Sequence, residues 1–269
     1  MFRCSLVRVL KSAFIFGAVC LLSPAAAQTV WPTQVQGQNS LTLGASGGNA
    51  PQPYQEGAGA RLTLDTALHG FKVRVDAQRQ TRFGLTGEFA GLQLTRDLDS
   101  TRYVTFGAGG GSSRLYARWN TNGFIFQKWG VGSPHVSGLG ITYSAMRDDR
   151  SDYSVVAQHI WYANDKVIFE GGLRFGRASP GNIASNQQFL ATTLGNPVGR
   201  HAVVRFARAH EAYLLLSDQQ ELAQFSSKQA SVTLNQPLTR EQMLSLTADR
   251  YTNPFYTRNR FDFGWSVRW

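Results

Sequence analysis

The last nine residues confine this chain more tightly than any other feature. From Phe261 to Trp269 every second side chain is large and apolar (Phe261, Phe263, Trp265, Val267, Trp269), while Asp262, Gly264, Ser266 and Arg268 fill the places between. A period of two sends alternate side chains to opposite faces of an extended strand, so this segment has one greasy face and one polar face. The pattern recurs in Phe71, Val73, Val75 and Ala77 against Lys72, Arg74, Asp76 and Gln78, and in Leu244, Leu246 and Ala248 against Ser245, Thr247 and Asp249. It also runs through 138–145 and 230–235. Such segments place about fourteen strands near residues 40–46, 58–66, 71–79, 88–96, 102–108, 113–125, 137–146, 153–162, 166–177, 187–195, 201–209, 228–235, 242–250 and 259–269, with twelve as the alternative count. Around 124–136 and 153–162 apolar residues occupy both phases, so the pattern does not fix the register there.

The chain opens differently. Arg3, Arg8 and Lys11 precede an apolar run from Ser12 to Leu22 and a small-residue stretch ending Ala25-Ala26-Ala27, the layout of a cleaved secretory signal peptide over residues 1–27. The run is too short to cross a bilayer as a helix, which takes about 20 apolar residues, and no later stretch approaches that length. Cys4 and Cys20 both lie in this leader, so the processed chain is expected to hold no disulfide in an oxidising compartment. Cys20 raises a lipoprotein reading, but Val19 stands where the lipid-attachment signal needs a small residue. Three of the 27 basic residues belong to the leader, leaving 24 against 17 acidic ones. That excess suits an anionic membrane surface or acidic glycans. Export argues against nucleic acid. The expected organisation is a leader over 1–27, a short periplasmic segment over 28–39 and one all-β unit over 40–269.

Alternation alone does not distinguish a β-sandwich from a barrel in lipid. Charges in the middle of polar phases (Arg74, Asp76, Glu170, Arg174, Asp249, Asp262) suit a wet or ion-paired lumen. Aromatics near strand ends (Tyr103, Trp119, Trp129, Tyr143, Trp161, Tyr162, Tyr251, Trp265, Trp269) suit interfacial girdles. Short connections such as 67–70, 97–101 and 163–165 alternate with longer ones such as 47–57, 80–87, 178–186 and 210–227, as turns on one side of an outer membrane alternate with loops on the other. The reading is therefore all-β: a transmembrane antiparallel β-barrel of about 12–14 strands. Backbone groups have no water to pair with in hydrocarbon, so the sheet must close.

The ending Phe261, Phe263, Trp265, Val267, Trp269 resembles the C-terminal insertion signal of bacterial outer-membrane proteins, which implies the barrel-assembly machinery as a partner. The last third of the chain also resembles the YaiO family of outer-membrane β-barrels. The resemblance rests on Gln229-Ala-Ser-Val-Thr-Leu-Asn-Gln-Pro-Leu-Thr239, on Leu244-Ser-Leu-Thr-Ala248, on the terminal strand, and more weakly on Leu194-Gly-Asn-Pro197. It implies an outer-membrane location and a single small barrel, and it carries no catalytic residues across.

Chemistry is sparse. Of the five histidines, His69 and His201 sit in or beside short turns and His135 and His210 in irregular connections, while His159 lies inside a strand of ambiguous phase. No serine or carboxylate stands at matched spacing, so no triad and no enzyme is expected. Asp148-Asp149-Arg150-Ser151-Asp152 lacks the spaced ligands and glycine turn of a calcium loop. Gly107-Ala-Gly-Gly-Gly111 is followed by no lysine and no helix, unlike a phosphate loop, and reads as a flexible loop or strand end. Neither a metal nor a cofactor is expected. Arg82, Arg147, Arg150, Arg177 and Arg258 fall in or near the outer connections, where guanidinium groups would meet lipopolysaccharide phosphates. The function expected is a non-enzymatic envelope barrel, structural or passing small solutes or glycans; the rival is a lipid- or surface-modifying enzyme with its site at the outer rim. Mixed inward charges, from Arg61 and Asp65 to Asp249 and Asp262, could pair across the lumen and close it.

Overall fold

The computed structural model describes residues 39–51, 56–147, 149–215 and 221–269, so the expected leader and most of segment 28–39 lie outside the described residues. It contains fourteen strands and, among those residues, no helix: β1 (Ser40–Asn49), β2 (Glu56–Leu68), β3 (Phe71–Arg82), β4 (Leu85–Asp97), β5 (Arg102–Gly111), β6 (Trp119–Trp129), β7 (His135–Ala145), β8 (Ser151–Asn164), β9 (Val167–Ser179), β10 (Ile183–Gly195), β11 (His201–Leu215), β12 (Glu221–Pro237), β13 (Gln242–Thr252) and β14 (Thr257–Arg268). Each pairs antiparallel with its sequence neighbours, and β1 pairs with β14, so the sheet closes into a barrel. The closing seam runs from Ser40↔Arg268 to Asn49↔Asn259. Beyond it Asn39 and Trp269 exchange two backbone hydrogen bonds of 3.2 and 3.1 Å. An even number of strands leaves both ends of the barrel wall on one side, here termed the terminal end; the other is the far end.

Every strand overlaps the segment that the alternation assigns it, and most run further. Nine of the fourteen strands have 12 to 17 residues, more than the roughly nine to eleven that a tilted strand needs to cross hydrocarbon, so their tips stand clear of it. Much of the chain expected as long loops is therefore strand. Segment 80–87 reduces to the two-residue turn Phe83-Gly84, with φ of 54° and 74°, the left-handed pair that suits a tight hairpin. His69-Gly70 does the same at the terminal end, with φ of 50° and 80°. The expected difference between short and long connections is correspondingly weaker, and the far end is marked by strand overhang instead. β6 begins at Trp119, not at 113, because the chain folds back as Tyr116 N–H donates to the Ser113 carbonyl at 3.1 Å and the Tyr116 ring drops into the interior.

The register sorts side chains into two sets. Leu43 stands opposite both Trp265 and Leu62, and Leu41 opposite both Val267 and Leu64, so apolar side chains form continuous rows around the outside. Phe261 and Ile141 are each 66% exposed, as are many other large apolar groups to a similar degree; such a surface is stable only against lipid. Trp119, Tyr143 and Tyr153 ring the far side of this face, while Trp129, Trp161 and Trp269 ring the terminal side. Tyr103, Tyr162 and Tyr251 belong to the other set: they point inward and do not serve the girdles expected of them.

Inside, rings lie over glycines on neighbouring strands. Phe89 of β4 packs flat against Gly109 of β5, and Phe126 of β6 against Gly138 of β7, so a Cβ at either glycine would collide with the ring. The glycine run 107–111 is thus part of β5, cut away to seat inward aromatics, not a flexible loop. Gly109→Val is expected to block barrel formation, read as loss of the heat-dependent shift in gel mobility, whereas Gly47→Val, where a Cβ meets nothing within 4 Å, should leave that shift intact.

Candidate functional site

The inward face is lined with ionised and polar side chains, held mostly by partners on the adjacent strand. Asp65 of β2 accepts hydrogen bonds from Arg74 Nε of β3 at 2.7 Å and Arg74 Nη2 at 3.2 Å, and Thr63 donates to Asp76 at 2.7 Å. Across the closing seam, Asp249 of β13 accepts from Arg258 Nη2 of β14 at 3.1 Å and from Gln229 of β12 at 2.6 Å. Arg260 reaches Asp262 at 2.9 Å and Ser46 of β1 at 3.0 Å, which ties the closing seam from within. The inward charges predicted from alternation are all present on this face, but these pairs run along the wall rather than across the lumen.

Side chains do cross at the far end. Phe83, Phe89, Leu115 and Tyr116, from the β3–β4 turn, β4 and the β5–β6 connection, pack with Phe225, Tyr251 and Tyr256, from β12, β13 and the β13–β14 connection. The Phe83 and Tyr256 rings meet edge-on at 6.2 Å. Arg82 Nη2 donates to the Tyr256 hydroxyl at 2.9 Å and its guanidinium sits 4.3 Å above the Phe83 ring. The Tyr251 hydroxyl donates to Glu211 of β11 at 2.8 Å. This knot joins residues more than a hundred apart in sequence and narrows the far mouth. Nearer the terminal end, Phe126, Val136, Ile160 and Ile168 with Tyr103, Phe124 and Tyr162 form an apolar pad along β5 to β9.

This arrangement corrects two of the five arginines read as lipopolysaccharide contacts. Arg82 is 5% and Arg258 1% exposed, both inside the barrel, because strand overhang carries their positions above the expected loops and the pleat turns them inward. Arg147 and Arg177 are exposed at the far end and Arg150 partly so; Arg147 binds the Gly111 carbonyl and Arg177 the Asn182 carbonyl at 3.1 Å. The outward face there also holds Arg208 opposite Lys228, with Arg250 one step away on β13, a group that sequence reading passed over because its members lie on three separate strands. Of the acidic stretch 148–152, Asp148 lies outside the described residues, and Asp149 sits in a turn (φ 58°) while Asp152 begins a strand; no cluster able to hold a metal ion occurs among the described residues.

The histidines divide. His69 occupies a turn, His201 is buried at the start of β11 with Nδ1 3.0 Å from the Gly199 carbonyl, and His210 ends an outward row. His135 and His159 come together on β7 and β8, both facing lipid, and Ser137 joins them. Parity with Val155 and Trp161 is the signal that settles the phase of His159; its partners were hidden because β7 starts at His135, two residues before the expected strand.

A closed, even-stranded antiparallel barrel, greasy outside and ionised within, is a membrane β-barrel of the outer-membrane type. The chain belongs to the YaiO family: the YaiO membrane beta barrel domain matches residues 53–213. No curated protein matches the chain. Among solved structures, a bacterial polysaccharide outer membrane secretin is similar in fold (9% identity, TM-score 0.54, covering 88% of this chain and 100% of that one). So are the CymD monoaromatic hydrocarbon channel (9%, 0.56, 88% and 90%) and an outer membrane channel from Pseudomonas putida F1 (10%, 0.52, 95% and 98%). At such identities the likeness is one of fold. The protein is an outer-membrane β-barrel, located in the cell outer membrane.

The ion pairs of the wall differ in worth. Asp249→Ala removes a buried acceptor of Arg258, whose side chain is 1% exposed against 8% for Asp249, and should lower stability by about 2 kcal/mol. The Lys72–Asp97 pair, 3.7 Å apart and 41% and 44% exposed, is worth at most about 1 kcal/mol, so Asp97→Ala should shift unfolding in urea little.

Proposed function

We propose that the barrel is a narrow envelope conduit for small polar solutes or glycans, constricted at its far mouth, and that the lumen does no chemistry. The observation that carries this reading is the combination of a charged wall along the barrel with a single aromatic–arginine knot bridging strands β3–β4 to β11–β14. A barrel with a purely structural task could fill its interior with apolar side chains; ionised groups held against the wall leave a polar path that depends on what stands in the mouth. The fold neighbours named for polysaccharide and hydrocarbon passage support the same class of task. The far end, on this reading, faces the cell exterior. Planar-bilayer recordings test it: the native protein should pass a small current, and Arg82→Ala combined with Tyr256→Ala should raise it roughly several-fold by unfastening the mouth. No current from either protein would make the barrel a structural element instead.

The partner we propose at the outer surface is lipopolysaccharide, bound by exposed cations at the far end. Arg208 and Lys228 stand directly opposite each other, an arrangement that costs energy unless an anion bridges them, and Arg250, Arg177, Arg147 and Arg150 extend the positive surface. Replacing Arg208 and Lys228 by Gln should leave thermal stability in plain detergent unchanged or raised, and should abolish the added stability that lipopolysaccharide confers on the native barrel. An unchanged response to lipopolysaccharide would remove these residues from the site.

A further inference from the structure

Near the terminal end, the outward face of β5 to β8 carries a row of polar residues. Arg102, Gln127, Ser137 and His159 succeed one another across β5, β6, β7 and β8 at matched register (Arg102↔Gln127, Gln127↔Ser137, Ser137↔His159). One pleat nearer the terminal end lie Trp129, His135, Trp161 and Phe169, an aromatic girdle into which His135 is inserted. One pleat toward the bilayer centre lie Ile125, Leu139, Ala157 and Leu173. The row therefore stands where headgroup gives way to hydrocarbon, the depth of the ester bonds of a lipid. Polar groups at that depth are costly unless satisfied, so their grouping calls for a cause. A groove of about 630 Å³ opens there, bounded by Arg102 and Gln127 on one side and by Ile125, Leu139 and Leu173 toward the bilayer centre, with Ser137 and His159 in its wall.

Three side chains are linked in series. Ser137 Oγ lies 3.0 Å from His159 Nδ1, and His159 Nε2 lies 3.2 Å from His135 Nδ1. Two assignments satisfy both contacts with neutral rings, and in one of them His159 carries its proton on Nε2 and donates it to His135 Nδ1, which leaves His159 Nδ1 to accept from the serine. That is the disposition of a nucleophile, a base and a group that orients the base. His135 is itself stacked against Trp161 at 6.1 Å and Trp161 against Phe169 at 5.4 Å, so its ring is held in place.

We propose that this groove binds a glycerophospholipid of the terminal-end leaflet and that Ser137, with His159 as base, cleaves one of its acyl esters, His135 serving as a positioning residue. An acyl chain lies along Ile125, Leu139 and Leu173, and the lipid phosphate meets Arg102, whose guanidinium is already oriented by Asp99 at 2.7 Å. Ser137 Oγ bonds to the acyl carbonyl carbon as its proton passes to His159 Nδ1. The ester C–O bond then breaks, and the lysophospholipid alkoxide takes that proton. Water from the interface, deprotonated by His159, next attacks the acyl-serine, releasing a fatty acid and restoring the Ser137 hydroxyl. The balance needs only lipid and water.

The test uses the full chain, folded in micelles of detergent and phosphatidylethanolamine. A fluorophosphonate probe should label Ser137, located by mass spectrometry, and fatty acid should be released. Both should fall at least about 100-fold in Ser137→Ala and His159→Ala with the heat-dependent mobility shift retained. His135→Gln, which keeps an acceptor for His159, should retain more activity than His135→Phe, a difference that a merely structural ring would not produce. Absence of labelling and of fatty-acid release from the folded native protein overturns the proposal, as does a His159→Ala variant as active as the native. If a variant fails to fold, the site of labelling in the native protein decides. Current through the lumen does not enter this test, so its failure and that of the conduit reading are separable.

Discussion

The backbone hydrogen bonds between β1 and β14 are the constraint on which the rest depends. In hydrocarbon a peptide group without a partner costs several kcal/mol, so a sheet with two open edges could not persist there. The seam meets this by pairing Ser40–Asn49 with Asn259–Arg268 residue for residue and by carrying the pairing one step past the strand to Asn39 and Trp269. Arg260 reinforces it from the lumen by spanning Asp262 on its own strand and Ser46 on β1.

Once the cylinder is closed, each strand has only two environments, and side-chain parity decides which residue enters which. This is why ionised groups are tolerable in so small a protein: Asp65 with Arg74 and Asp249 with Arg258 are cross-strand pairs on the inward face, with their partners supplied by register. It also explains the glycines on that face. Inward Phe89 and Phe126 need flat ground beside them, and Gly109 and Gly138 provide it, so these rings lie along the wall.

The same parity links the two surfaces on which function is proposed. At the far mouth, strand overhang lifts Arg82, Glu211, Tyr251 and Arg258 above the membrane span while keeping them turned inward, where they knit the two sides of the opening. At the terminal end the opposite phase carries Ser137 and His159 out to the lipid, beside a girdle that fixes their depth. Lumen and lipid face are thus separate sites on one sheet.

Much of the architecture was readable without coordinates. All fourteen strands, the inward placement of Arg74, Glu170 and Asp262 and the outward placement of Phe261 and Phe263 follow from a period of two, because the pleat obeys sequence alone. Loop lengths are not legible in the same way, since polar residues at strand tips look like loop whether or not a neighbour pairs with them, as at 80–87. The knot of Arg82 with Tyr256 and the meeting of Ser137, His135 and His159 were out of reach: each depends on which residue stands across from which, and that register is set by the closure of the whole barrel, which a single strand does not encode.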